Sequence, residues 1–223
     1  MADREGHAAR LLGREFSVNV LAVLFALTFG KALEVAFGGL AHYETVSQLW
    51  VAVQRDPLVY LLLFLQLAAF FATLFRFYAG SYRFHEEPSG YSESVGVLVD
   101  WAGTALLFVG FFVAATVVKT TGLFLMVVAI FHIFDMIWLL TTQQWMKNVP
   151  HVQKVINNYL VYDLITLGAA ALAGCVYAIR PFDSLNFYWI NSGILISMFF
   201  IDIFWCTRDW YFNAEKWREA QHG

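Results

Sequence analysis

Charge is scarce in this chain. Only 14% of its residues are Asp, Glu, Lys or Arg, against about 25% in an ordinary soluble domain. The net charge of −3, with no basic stripe, excludes a nucleic-acid binder. There are two cysteines, Cys175 and Cys206, both inside apolar runs. They form no disulfide framework, no CxxC redox pair and no haem attachment site. The four prolines, Pro57, Pro88, Pro150 and Pro181, fall at loops or helix ends, so no apolar run is kinked by one. No HExxH metal motif, nucleophile elbow or Ser/His/Asp order is present. Accordingly no catalytic residue is assigned, no cofactor is expected, and the balance leans away from an enzyme.

What is abundant is apolar residue. Sixty percent of the chain is hydrophobic, with 22 Phe, 10 Tyr and 8 Trp, more than a soluble surface can hide. The class is therefore an all-α polytopic membrane protein. Uncharged runs of 19, 18 and 18 residues extend over 57–75, 101–118 and 184–201, close to the roughly 20 that a spanning helix needs. Asp163 and Arg180 bracket another 16 uncharged residues, and Lys119 and Asp135 bracket 15. The first stretch, Phe16 to Leu40, is longer than a signal-peptide core and carries Lys31 and Glu34, so it reads as a span rather than a removable leader. The pattern predicts six transmembrane helices, at about 15–38, 57–80, 95–118, 121–142, 156–179 and 188–210, forming a single transmembrane domain over 1–223.

Orientation follows from the basic residues. Nine of the 14 Lys and Arg fall on the side shared by both termini. Only Arg55, Lys119 and Arg180 fall on the other, and Lys31 and Arg76 lie within spans. This predicts an N-in, C-in protein of the plasma (inner) membrane, both termini cytoplasmic, built as three sequential hairpins. Lys119–Thr121 is the shortest connection and makes the third and fourth spans an antiparallel pair. The loop after the first span is the longest outer segment, and its Leu40, Val46, Leu49, Trp50 and Val53 suit one face of an interfacial helix. Gly30, Gly38, Gly39, Gly103, Gly110, Gly168 and Gly174 are expected to permit close helix contact, and Gln66 to bond between helices.

A short pattern recurs. Phe134-Asp135-Met136-Ile137-Trp138 and Ile201-Asp202-Ile203-Phe204-Trp205 both read apolar-Asp-x-x-Trp, and the preceding span of each carries Asp100 or Asp163, 35 and 39 residues earlier. This fits two copies of one hairpin.

The chemistry is concentrated in one layer. Asp100, Asp135, Asp163, Asp202 and Arg76 each sit four to eight residues from the expected inner end of a span, about 6–12 Å deep, and Asn19 stands near the same height. Charged groups in a span face the bundle interior and pair there. One arginine can fork to two carboxylates, so the acids exceed the bases, and the layer must take up protons or a cation. His132 precedes Asp135 by three residues and shares its face. Lys31 and Glu34, also three apart, form a secondary polar pair. The residues support a cation or proton channel or transporter. Two alternatives stay open: a non-catalytic membrane partner or sensor subunit whose polar layer is structural glue, and an intramembrane enzyme acting on a lipid-like substrate. The expected partners are the lipid bilayer, further copies of the chain in a homo-oligomer, and a membrane-protein partner.

Overall fold

The computed structural model describes residues 2–38, 43–86, 94–145, 150–179, 189 and 191–205, with side chains described over 19–38, 43–81, 102–120, 122–144, 153–175, 189 and 191–205. It is helical throughout, and no strand occurs among the described residues. The elements are α1 (Ala2–Phe37), α2 (Val46–Arg55), α3 (Pro57–Glu86), α4 (Ser94–Thr116), α5 (Thr121–Trp145), α6 (Pro150–Ile179) and α7 (Asn191–Trp205).

The described helices lie along the stretches that periodicity marks as apolar, but several run further than a membrane requires. α1 starts at Ala2 rather than near residue 15, because Ala, Leu, Glu and Arg over residues 2–14 are good helix formers in water. α3 continues to Glu86 and α6 begins at Pro150. Proline suits a first helical position, where its missing N–H costs nothing, and α3 opens the same way at Pro57. Four helices are long and apolar enough to cross a bilayer: Asn19–Phe37, Pro57–Ser81, Gly122–Gln144 and Gln153–Cys175. The described parts of the other two, Ala102–Thr116 and Asn191–Trp205, are apolar but shorter.

α3 is the central post. Its Phe71, Phe75 and Tyr78 stack against Phe25 and Phe29 of α1 at centroid distances of 4.5–6.4 Å. On another face, Phe70 and Phe77 meet Phe108 and Phe111 of α4 and Phe124 and Phe131 of α5. Phe111 and Phe131 approach to 4.1 Å. A third stripe, Gln66, Ala69, Thr73, Arg76 and Gly80, repeats every three or four residues and carries small or polar side chains toward α5, α6 and α7. Gly80 is needed there: a Cβ would stand 2.8 Å from the Tyr159 hydroxyl of α6. Gly103 likewise makes room for Trp138. Gly30, Gly168 and Gly174, by contrast, have nothing within 4 Å of a Cβ, so the close-contact role expected of them does not hold.

α4 and α5 pack side by side across a turn closed by Val117 N–H to Ala114 O and Thr120 N–H to Val117 O. α2 is fixed by a capping box in which Gln48 N–H donates to Thr45 Oγ1 and Thr45 N–H donates to Gln48 Oε1, both at 3.3 Å. It buries no residue. Val46 and Trp50 are exposed, Leu49 and Val53 are half-buried, and Leu40 lies outside the described residues. Tyr43 and Tyr60 hydroxyls meet at 3.2 Å and tie this segment to α3.

The distribution of polarity is inverted relative to a soluble protein. Arg76, His132, Asp135, Asp163 and Asp202 are buried, while Leu27, Phe64, Ile137, Leu164, Phe200 and Phe204 are exposed. Apolar helices with apolar outward faces and charge held within fit an integral membrane protein.

Candidate functional site

The buried charges converge on one guanidinium. Arg76 of α3 reaches three carboxylates on three other helices: Asp202 Oδ1 of α7 at 2.8 Å from Nε, Asp163 Oδ1 of α6 at 3.5 Å from Nη2, and Asp135 Oδ2 of α5 at 3.9 Å from Nη2. All four side chains are at most 3% exposed. The approach to Asp202 is close but out of line for a hydrogen bond, so that carboxylate is held by charge. The 3.9 Å separation from Asp135 is likewise beyond hydrogen-bond range.

α6 supplies the walls. The Tyr162 ring lies 3.8 Å from Arg76 Cζ and the Tyr159 ring 5.3 Å from it, so the cation rests against two aromatic faces one helical turn apart. The Tyr162 hydroxyl stands beside Asp202, as does that of Thr73. Thr73 spends its proton on Ala69 O at 3.0 Å. His132, wholly buried on α5, is hydrogen-bonded through Nδ1 to Asp163 Oδ1 at 2.9 Å. One donor atom each from His132, Asp135 and Asp163 lie within 4.8 Å of one another. Several polar atoms of this cluster have no hydrogen-bond partner: His132 Nε2, Asp163 Oδ2, the Tyr162 hydroxyl and both Asp202 oxygens.

A cavity of about 10 Å³ lies between α3, α4, α5 and α7, lined by Ala69, Phe70, Thr73, Phe111, Ala114, Phe124, Val128, Phe131 and Met198. Thr73, Phe131 and Met198 bring it within about one turn of Arg76, His132 and Asp202. Its size is about that of one water. Gln66, ten residues before Arg76 on α3, is buried further along the same stripe with its Nε2 unpartnered, so the interhelical bond expected of it is not formed.

Of the residues singled out by sequence, Arg76, His132, Asp135, Asp163 and Asp202 are brought together. Asn19 is not. It is exposed on α1, two residues before the buried Leu21 and therefore about 200° around the helix from the face that packs on α3 and α4. Asp100 lies in α4, outside the described side chains. Lys31 and Glu34 form their own pair, Nζ to Oε1 at 3.0 Å and to Oε2 at 3.1 Å, apart from the cluster. The layer is also deeper within its helices than expected, because α3 and α5 each continue ten residues past Arg76 and Asp135, about 15 Å. Tyr159, Tyr162 and Gly80 were not singled out.

The two Asp-x-x-Trp copies behave alike. Asp135 and Asp202 both face Arg76, and the tryptophan three residues on packs against the preceding helix. Trp138 lies over Gly103 of α4, and Trp205 Nε1 donates to Asn158 O of α6 at 2.9 Å.

The chain matches no protein-family model, no curated protein and no solved structure.

Proposed function

We propose that the chain is a six-span membrane protein, both termini cytoplasmic, that passes cations or protons through the bilayer by way of the Arg76 cluster. One observation carries this reading: three buried carboxylates on three helices face a single guanidinium. A lock that served only to fix helix register would match its charges, since every uncompensated buried charge is costly. An excess of acid with unpartnered oxygens instead attracts a positive guest, and acids inside spans are the usual stations of ion and proton pathways. The skew of Lys and Arg toward one side supports the orientation.

The test is flux into liposomes carrying the purified protein. Wild type should admit protons or monovalent or divalent cations above the leak of empty vesicles. Asp135→Asn and Asp202→Asn, each shown to be folded by size-exclusion chromatography, should fall to that leak. Wild-type vesicles no leakier than empty ones, or folded variants that conduct fully, would remove this function.

A further inference from the structure

Arg76 does not serve its three acids equally. It stands 2.8 Å from Asp202 but 3.5 Å from Asp163 and 3.9 Å from Asp135. Its single charge is matched by Asp202. Asp135 and Asp163 share only the far edge of that guanidinium, Asp163 through a long hydrogen bond of 3.5 Å, and an imidazole stands beside them. That residue set has the charge and the donors of a divalent cation site.

The geometry agrees. His132, Asp135 and Asp163 are all fully or almost fully buried, and one donor atom from each lies within 4.8 Å of the others. The His132 Nδ1 to Asp163 Oδ1 separation of 2.9 Å is a hydrogen-bond distance, and it also matches the edge between neighbouring ligands of a six-coordinate metal bound at about 2.0–2.2 Å. Independently of the clustering, Asp163 Oδ2 is buried without a hydrogen-bond partner. Buried polar atoms are normally satisfied, and an ion is among the standard reasons when they are not.

We propose that His132, Asp135 and Asp163 bind one divalent cation of the first transition row. An imidazole with two carboxylates suits zinc, cobalt, iron or manganese, whereas magnesium and calcium favour all-oxygen sites. Asp202 stays with Arg76 and is not a ligand. Because two acids and a neutral imidazole balance a dication, the bound cluster carries no net charge. The site stands on its own donors and does not depend on transport: a protein that binds metal and conducts nothing keeps this inference and loses the preceding one.

The experiment uses the full chain, purified in detergent with any affinity tag removed, stripped by chelator and dialysed separately against Zn²⁺, Co²⁺ and Mg²⁺. Elemental analysis should find one Zn²⁺ or Co²⁺ per chain and no stoichiometric Mg²⁺. Loss of an outer-shell partner usually weakens metal binding 10- to 100-fold, so His132→Gln, which removes a direct ligand, should weaken it by at least about 100-fold. Lys31→Ala should leave it unchanged. Pulsed EPR of the Cu²⁺-loaded wild type reads the imidazole nitrogen directly and does not depend on any variant folding. Less than one metal per wild-type chain, absence of nitrogen coupling, or full affinity in folded His132→Gln would each overturn the proposal.

Discussion

Arg76→Met should leave little folded protein. The substitution keeps an unbranched apolar stem but strips the cation from three buried carboxylates on α5, α6 and α7. Removing one partner of a buried ion pair costs about 3–5 kcal/mol, because the remaining charge stays buried without compensation. Here one deletion exposes several acids to that penalty at once. Arg76→Lys restores the charge and should recover only part of the loss. Lysine has no planar fork to reach two acids, and it forfeits the flat stack on the Tyr162 ring at 3.8 Å. Asp202→Asn combined with Arg76→Met should be less damaging than the sum of the two single changes, since each removes the other's penalty. Thermal unfolding in detergent, followed by size-exclusion fluorescence, measures all four variants. If Arg76→Met melts with the wild type, the three acids are not coupled through the guanidinium.

The charge layer was legible because charge within a long apolar run has few explanations. Each of Arg76, Asp135, Asp163 and Asp202 interrupts or ends a run otherwise fit for lipid, and the cost of burying it there demands partners. Depth counted along four separate helices was enough to bring the four to one level. The arrangement around them was less legible. Tyr159 and Tyr162 are unremarkable in a chain with 40 aromatic residues, and only the three-dimensional path of α6 presses them against the guanidinium. Gly80 looks like any helical glycine until Tyr159 is placed over it. Asn19 failed for a different reason. Height along a helix says nothing of azimuth, and the packed face of α1, through Leu21, Thr28, Ala32 and Ala36, turns Asn19 outward. Helix ends were misjudged where polar helix formers carried α1, α3 and α6 beyond the apolar segments, since hydropathy reports the membrane and not the backbone. Among the glycines, composition alone could not separate Gly103, against an indole, from Gly168, in open space.

That last distinction makes the second large effect testable. Gly103→Leu should drive α4 and α5 apart, because even a Cβ at this position overlaps the indole of Trp138, and a leucine adds three further carbons. Forcing a larger side chain into a packed contact costs about 1–3 kcal/mol. The damage should not stay local. Trp138 leans on Phe77, at 6.5 Å between ring centroids, and Phe77 is the immediate neighbour of Arg76 on α3. Trp138 is also one turn from Asp135, so displacing the indole shifts the stretch of α5 that carries Asp135 and His132, and flux or metal affinity should decline with stability. Trp138→Ala in the same chain should relieve most of the overlap, so the double variant should be more stable than the two single losses added together. Gly168→Leu is the matched control on α6. Nothing lies within 4 Å of a Cβ there, and replacing a helical glycine removes backbone freedom worth up to about 1 kcal/mol, so that variant should melt at or above the wild type. Equal loss at both positions would mean that helix approach at Gly103 is no tighter than elsewhere, and the coupling from α4 through Trp138 to the acid and imidazole of α5 would fall with it.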